Sequence, residues 1–209
     1  MQTRFLTAAV LAALTLLAAC DRDRASNPDL PVQEPVTAPT APGPAPVDAP
    51  IPTQDPAPKP PVGNATYSGY RALKFGMTPD AMKAAFSAEM TGAPAAGETC
   101  YYLSPKGATS QRELAFMVED GKFVRLDVGT DGEIAPGGGK VGMSLAELQG
   151  LYVGRIEEQP HKYTDGKYLR IRADDSSNSV VVFETDAAGK VTSWRTGMEP
   201  QIDYVEGCS

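Results

Sequence analysis

The same four-residue pattern occurs twice in this chain. Phe75-Gly76-Met77-Thr78 and Val141-Gly142-Met143-Ser144 match at an offset of 66, and the likeness continues into helical sequence, with Met82 matching Leu148, Ala85 matching Leu151 and Phe86 matching Tyr152. An internal repeat constrains a fold more than any single motif, because each copy must be one supersecondary unit that buries its apolar face against the other. Thr78 and Ser144 stand where a hydroxyl accepts from the first free amides of a helix. Pro79 takes the first helical position, where a missing N–H costs nothing. Apolar residues then recur at Met82, Ala85, Phe86 and Met90, and again at Leu145, Leu148, Leu151 and Tyr152, which is amphipathic helical spacing.

Each predicted helix is followed by hairpin sequence. Residues 114–119 alternate, Asp120-Gly121 turns, and residues 122–128 run back; residues 180–185 lead to Ala188-Gly189, and residues 190–196 return. Gly121-Lys122 matches Gly189-Lys190 at an offset of 68, so a two-residue insertion in the second turn restores the register. Asp165-Gly166 marks a further hairpin between Tyr163 and Tyr168, and the segment 131–140, with Gly137-Gly138-Gly139, reads as a flexible joint. The predicted fold class is α+β. Two tandem helix-plus-antiparallel-meander repeats, residues 66–134 and 135–209, form one sheet with the helices on one face and the opposite face open to solvent.

The N-terminal third reads differently. Residues 1–19 have the form of an export signal: Arg4 supplies the positive region, and residues 5–17 are apolar apart from two threonines. That run is too short to span a bilayer as a helix, which takes about 20 residues. It ends in Leu17-Ala18-Ala19-Cys20, which resembles the bacterial lipobox, so Cys20 is the expected site of diacylglycerol attachment and the first residue of the mature chain. An ordinary secretory signal with an incidental cysteine is the alternative. The expected location is the bacterial envelope, lipid-anchored and facing the periplasm, with inner or outer membrane left open by Asp21. Residues 20–65 form the acylated cysteine and a linker, and 13 of the chain's 19 prolines fall between positions 28 and 61. Such a segment buries too little apolar area to offset its chain entropy, so disorder with polyproline II character is expected. At about 3.1 Å per residue, the 34 residues from 28 to 61 reach roughly 105 Å at most.

A short strand, then Gly-Met-Thr/Ser, then an amphipathic helix and a meander resembles the repeat of the β-lactamase-inhibitor protein fold, and the small lipoproteins of outer-membrane assembly share a similar single unit. The start Tyr70-Arg71-Ala72-Leu73-Lys74-Phe75-Gly76-Met77, the joint through Val141-Gly142-Met143, and the end Asp203-Tyr204-Val205-Glu206-Gly207-Cys208 also resemble a group of proteobacterial envelope lipoproteins often labelled "lectin". The first resemblance implies a protein-binding module or inhibitor, and the second a carbohydrate-binding role.

The chain carries 26 acidic against 19 basic side chains, a net of −7 with its one histidine neutral, so the basic patch that nucleic acid requires is missing. Cys100 and Cys208 are the cysteines that remain after Cys20, and in an exported domain they are expected to pair. The loop closed is one for which chain entropy gives roughly 4.7 kcal/mol, with two free thiols as the alternative. His161, in Gln159-Pro160-His161-Lys162-Tyr163, lacks a nucleophile elbow nearby and reads as a surface residue before a hairpin. Gly137-Gly138-Gly139-Lys140 departs from the phosphate-loop pattern, because Ile134 and Val141 hold positions that need Gly and Ser or Thr. Asp127-x-Gly129-x-Asp131-Gly132 departs from a calcium loop, with Gly138 where the bidentate glutamate belongs. No cofactor and no metal are expected.

Strand alternation points to one surface. Leu169 and Ile171 are assigned to the core, with Tyr168, Arg170 and Arg172 facing out. Val124, Leu126 and Val128 are set against Phe123, Arg125 and Asp127, and Val191, Ser193 and Arg195 against Thr192, Trp194 and Thr196. Tyr168, Arg170, Arg172, Arg125 and Arg195 are the candidate partner- or ligand-binding residues, since Tyr and Arg dominate interface hot spots and also suit sugars. The expected function is a non-enzymatic, lipid-anchored periplasmic module that recognises an envelope protein through the open sheet face. A carbohydrate-binding lipoprotein is the alternative, and an enzyme comes last.

Overall fold

A computed structural model of the chain describes residues 61–108 and 113–208. The signal segment, Cys20 and the proline-rich linker to residue 60 lie outside the described residues. The fold is α+β. Three two-residue strands, β1 (Ala65–Thr66), β2 (Gly69–Tyr70) and β3 (Leu73–Lys74), form a small antiparallel sheet. Helix α1 (Pro79–Ala85) follows, then β4 (Met90–Thr91), β5 (Cys100–Pro105), β6 (Leu114–Glu119) and β7 (Lys122–Val128). Helix α2 (Leu145–Leu151) precedes β8 (Glu157–Pro160), β9 (Lys167–Arg172), β10 (Ser179–Thr185) and β11 (Val191–Met198), and a 3-10 turn at Gln201–Asp203 begins the C-terminal tail. The other eight strands form one sheet in the order β4-β5-β6-β7-β11-β10-β9-β8, with every pairing antiparallel.

Local chemistry explains where the helices start and stop. Thr78 Oγ1 accepts from Ala81 N–H at 3.4 Å, and Pro79 opens α1. Ser144 and Glu147 close a reciprocal capping box on α2, with Ser144 N–H donating to Glu147 Oε2 at 2.7 Å and Glu147 N–H to Ser144 Oγ at 3.3 Å. The Ser144 N–H and the Ser144 hydroxyl, which donates to the same Oε2 at 2.7 Å, hold the Glu147 carboxyl below its ordinary value. Both helices are shorter than the apolar spacing predicts. Phe86 leaves α1 in an extended conformation and sets its ring edge-on to Phe116 at 5.5 Å, and Met90 lies in β4.

The Gly-Met motifs make matching contacts. Gly76 N–H donates to Phe123 O and Phe123 N–H to Met77 O; Gly142 N–H donates to Val191 O and Val191 N–H to Met143 O. Gly76 and Gly142 share a φ of +89°. Phe123 and Val191 both lie just before a β-bulge, where Val124 and Thr192 are extra residues against β6 and β10. The two bulges overturn part of the alternation expected from sequence. Each flips the residue before it, so Phe123 and Val191 join the same apolar cluster as Leu126, Val128 and Trp194 rather than siding with Arg125 and Arg195.

The main cluster gathers Leu103, Phe116, Phe123, Leu126, Leu169, Ile171, Val181, Phe183 and Trp194 from the sheet, with Met82 from α1 and Leu148 from α2. Burial of each large apolar side chain contributes about 1.5–3 kcal/mol. The glycine-rich segment is packed rather than a flexible joint. A Cβ on Gly139 would meet Phe183 at 2.5 Å and Leu148 at 2.8 Å, and Gly139 N–H donates to the buried Tyr152 hydroxyl, which donates in turn to Pro136 O. Burial pushes the Tyr152 phenol well up. Among the described residues no helix is long and apolar enough to cross a membrane.

Candidate functional site

The sheet face away from the main cluster carries the expected candidates, and the C-terminal tail lies on it. Ile202 is fully buried in a second apolar cluster with Tyr168, Val180 and Val182, and Val205 packs against its edge. Tyr168, Arg170, Arg125 and Arg195 therefore do share a surface, but it is not open. Arg125 is 3% exposed, Arg170 5% and Arg195 6%. Arg172 alone of the five stays half exposed, paired with Glu199 at 2.9 Å and Glu157 at 3.8 Å. An open arginine face would leave apolar Val180 and Val182 in water; the tail removes them by seating Ile202 there.

Arg125 is spent on this packing. Its Nε donates to Asp127 Oδ2 at 2.9 Å, its Nη1 to the carbonyls of Gln201 at 2.8 Å and Tyr204 at 2.7 Å, and its Nη2 to the Tyr102 hydroxyl at 2.7 Å, with Asp127 Oδ1 2.8 Å from Nη2. A guanidinium has five N–H groups, and these contacts engage all of them. Burial pushes the Asp127 carboxyl up, and the adjacent guanidinium draws it back. Burial, with the Asp127 charge beside it, also pushes the Tyr102 phenol up. Arg170 pairs with Asp203 and, at 3.0 Å, with Glu199, both on the tail.

The tail ends in a covalent staple, Cys100–Cys208, joining it to the first residue of β5. The pairing expected from the two cysteines is present. Gly207 runs so close to β5 that a Cβ there would meet the Tyr102 hydroxyl oxygen at 2.6 Å, and its φ of +72° favours glycine.

Between tail and sheet remains a cleft of about 700 Å³. Tyr102, His161, Tyr163, Glu184, Ser193 and Arg195 line it, with Val205, Glu206 and Gly207 as the tail's wall. Arg195 donates through Nε to Ile202 O at 2.7 Å and through Nη1 to Glu184, and its guanidinium lies over the Tyr168 ring at 5.5 Å. Among the described residues its Nη2 has no hydrogen-bond partner. Ser193 Oγ donates to Glu184 Oε2 at 3.2 Å. His161 is not a surface residue as the sequence led us to expect. Its ring stacks on Tyr168 at 4.5 Å and its Nε2 lies 3.7 Å from Glu184. Nδ1 accepts from Tyr163 N–H at 3.1 Å. At the rim, Tyr163 is 59% exposed, and its hydroxyl contacts Glu206, which also receives Lys162 Nζ at 3.0 Å. The Tyr163 hydroxyl and Lys162 together hold the Glu206 carboxyl below its ordinary value.

Sequence reasoning missed Tyr102, His161 and Glu184. Glu184 had a signal, since it lies on the hairpin that carries Arg195 and alternation puts both on one face. His161 had none, because the loop that bends it onto Tyr168 has no periodicity. Among the described residues no group of three or more His, Cys, Asp and Glu side chains is placed to hold a metal ion.

No family model matches the chain, and no curated protein matches it. Among solved structures it is similar to the uncharacterized protein yfeY from Escherichia coli, at 17% identity over 64% of this chain and 99% of that one, with a TM-score of 0.43. It is also similar to an extracellular protein containing a SCP domain from Bacillus anthracis str. Ames, at 11% identity and a TM-score of 0.40, where the match takes in 59% of this chain and 44% of that one, less than half its length.

Proposed function

We propose that this protein is a lipid-anchored envelope binding module, not an enzyme, and that it holds a small hydroxyl-rich ligand of the saccharide class in the cleft between tail and sheet. Its body is read as two helix-plus-meander copies sharing one sheet, with both helices on the face opposite the tail. The matched Gly-Met bridges to Phe123 and Val191, and the matched bulges at Val124 and Thr192, support that reading. Cys20 is read as the acylated residue; Cys20→Ser is expected to abolish uptake of labelled fatty acid, and continued uptake would overturn the anchor.

The cleft itself carries the functional reading. Its volume of about 700 Å³ falls within the range of small-ligand sites. An exposed tyrosine ring at the lip gives a flat apolar face for a pyranose, while Arg195 Nη2, Ser193 and Glu184 supply donors and acceptors for hydroxyls. A large protein docking on the arginine face would have to displace the tail, with its buried Ile202 and its arginine hydrogen bonds.

The test is a glycan array probed with the mature chain, followed by calorimetry on the hits. Tyr163→Ala is expected to weaken saccharide binding at least fivefold with the melting temperature unchanged. Absence of any saccharide binding would sink the proposal, as would an unaltered affinity in the variant. Capture of an envelope protein in their place would restore the protein-binding reading.

A further inference from the structure

We propose that the Cys100–Cys208 disulfide is a redox latch on the cleft: breaking it frees the wall at residues 206–208 while the rest of the tail and the sheet stay in place. The inference concerns the regulation of the site described above and rests, for its consequence on binding, on that reading of the cleft.

The tail is held in two stretches by different means. Upstream, Ile202 is fully buried, Gln201 O and Tyr204 O accept from Arg125, Ile202 O accepts from Arg195, and Gln201 Nε2 donates to Glu119 at 2.5 Å. None of these contacts involves the cysteines. Downstream of Val205 fewer contacts are made among the described residues. Gly207 N–H donates to Tyr204 O at 3.2 Å, Glu206 meets Lys162 and Tyr163, and Cys208 is bonded to Cys100. Glu206 and Lys162 are each 54% exposed, so their pairing is screened by water and holds the segment weakly. The disulfide is thus the principal restraint on 206–208, and Glu206 and Gly207 are wall residues of the cleft.

The bond is also placed to be reached. Cys100 and Cys208 are half-buried and line a second recess of about 410 Å³, together with Glu119, Lys162 and Tyr204. A small dithiol entering there completes a balanced exchange. Its thiolate attacks one cysteine sulfur and the other leaves as a thiolate that takes up a proton. The dithiol's second thiol, as thiolate, then displaces the first cysteine and closes a cyclic disulfide. The protein gains two electrons and two protons, and the dithiol loses them. In the reduced form Gly207 is no longer pressed on Tyr102, and the cleft is open along that side.

The experiment follows backbone amide exchange by mass spectrometry on the full mature chain, oxidised, reduced with dithiothreitol, and as Cys208→Ser, with the saccharide probe titrated in parallel. Trimethylamine N-oxide is included to favour the compact state. Exchange in 206–208 is expected to rise at least tenfold on reduction and equally in Cys208→Ser. Amides 203 and 204 and those of β9, β10 and β11 are expected to stay within twofold, and saccharide affinity is expected to change at least fivefold. Unchanged exchange in 206–208 would overturn the latch. Equal loss of protection in the upstream tail and β10 would overturn it too, because the disulfide would then be a staple for the whole fold. The expected exchange pattern with no saccharide bound by either form would leave the latch standing and remove the ligand assignment.

Discussion

Replacing Arg125 with alanine tests how the arginine face is organised. The guanidinium is buried, and its five N–H groups are all engaged by Asp127, Tyr102 and two tail carbonyls. Removing one partner of a buried ion pair costs about 3–5 kcal/mol, because the remaining charge stays in place without compensation. The Asp127 side chain is 24% exposed, so water relieves part of that charge and the lower bound of about 3 kcal/mol applies to the pair. The carbonyls of Gln201 and Tyr204 lose their donors as well, each costing about 1 kcal/mol where water does not replace the guanidinium. The expected loss is therefore about 3–5 kcal/mol. For a folded part near 150 residues, 1 kcal/mol moves Tm by about 2–4 °C, so Tm should fall by about 10 °C. Thermal denaturation followed by circular dichroism of the disulfide-intact chain measures this, with Arg172→Ala as the exposed control. A fall below about 3 °C for Arg125→Ala would refute the reasoning, since the guanidinium would then be holding neither Asp127 nor the tail.

The two arginines of β9 should separate in the same assay. Arg170→Ala removes a buried group paired with two half-exposed carboxylates and should cost about 2 kcal/mol, whereas Arg172→Ala should cost less than about 1 kcal/mol; equal losses would count against the burial assigned to Arg170. Gly207→Ala combines a left-handed φ with a contact at 2.6 Å to the Tyr102 hydroxyl and should cost about 1–2 kcal/mol by chemical denaturation; a neutral variant would mean the tail does not press on β5. Glu206 gives a pH dependence. Its folded value is depressed below 4.5, so its stabilising contacts with Tyr163 and Lys162 are fully present above 4.5 and are lost as pH falls through the folded value. The Tyr163 ring resonances should shift in that acidic window in the wild type and not in Glu206→Gln; identical titrations would remove Glu206 from the contact.

Much of the strand and helix content was legible because it depends on local rules. Alternation located β6, β7, β10 and β11, hydroxyl caps located both helix starts, and two cysteines in a chain read as exported indicated their own pairing. What failed did so where a single residue breaks a period. An extra residue at Val124 and another at Thr192 reverse the facing of Phe123 and Val191, and nothing in a run such as Lys122-Phe123-Val124-Arg125 marks which residue is the extra one. The small sheet β1–β3 was invisible for a related reason. Its strands are two residues long, too short for any alternation to register, and they are held by the burial of Tyr70 and Leu73 rather than by their own propensity.

Tyr168, Arg170, Arg125 and Arg195 share one face of the sheet, but the tail covers it. Alternation places Tyr168, Arg170, Arg125 and Arg195 on one face, but it also places Val180 and Val182 there, beside them. A face that mixes guanidinium groups with valines is poorly solvated when bare, and the chain supplies its own cover in Glu199-Pro200-Gln201-Ile202-Asp203-Tyr204. That stretch offers one large apolar side chain, two carboxylates and a run of backbone carbonyls, which is the complement of two valines and three arginines. Arginine on a sheet face is thus ambiguous between a site for another molecule and a clamp for the chain itself. The deciding observation is how many of its N–H groups the chain already satisfies. Arg125 has all five engaged and is a clamp. Arg195 keeps Nη2 without a partner among the described residues, so of the two arginines that line the cleft it is the one with N–H groups left for a ligand.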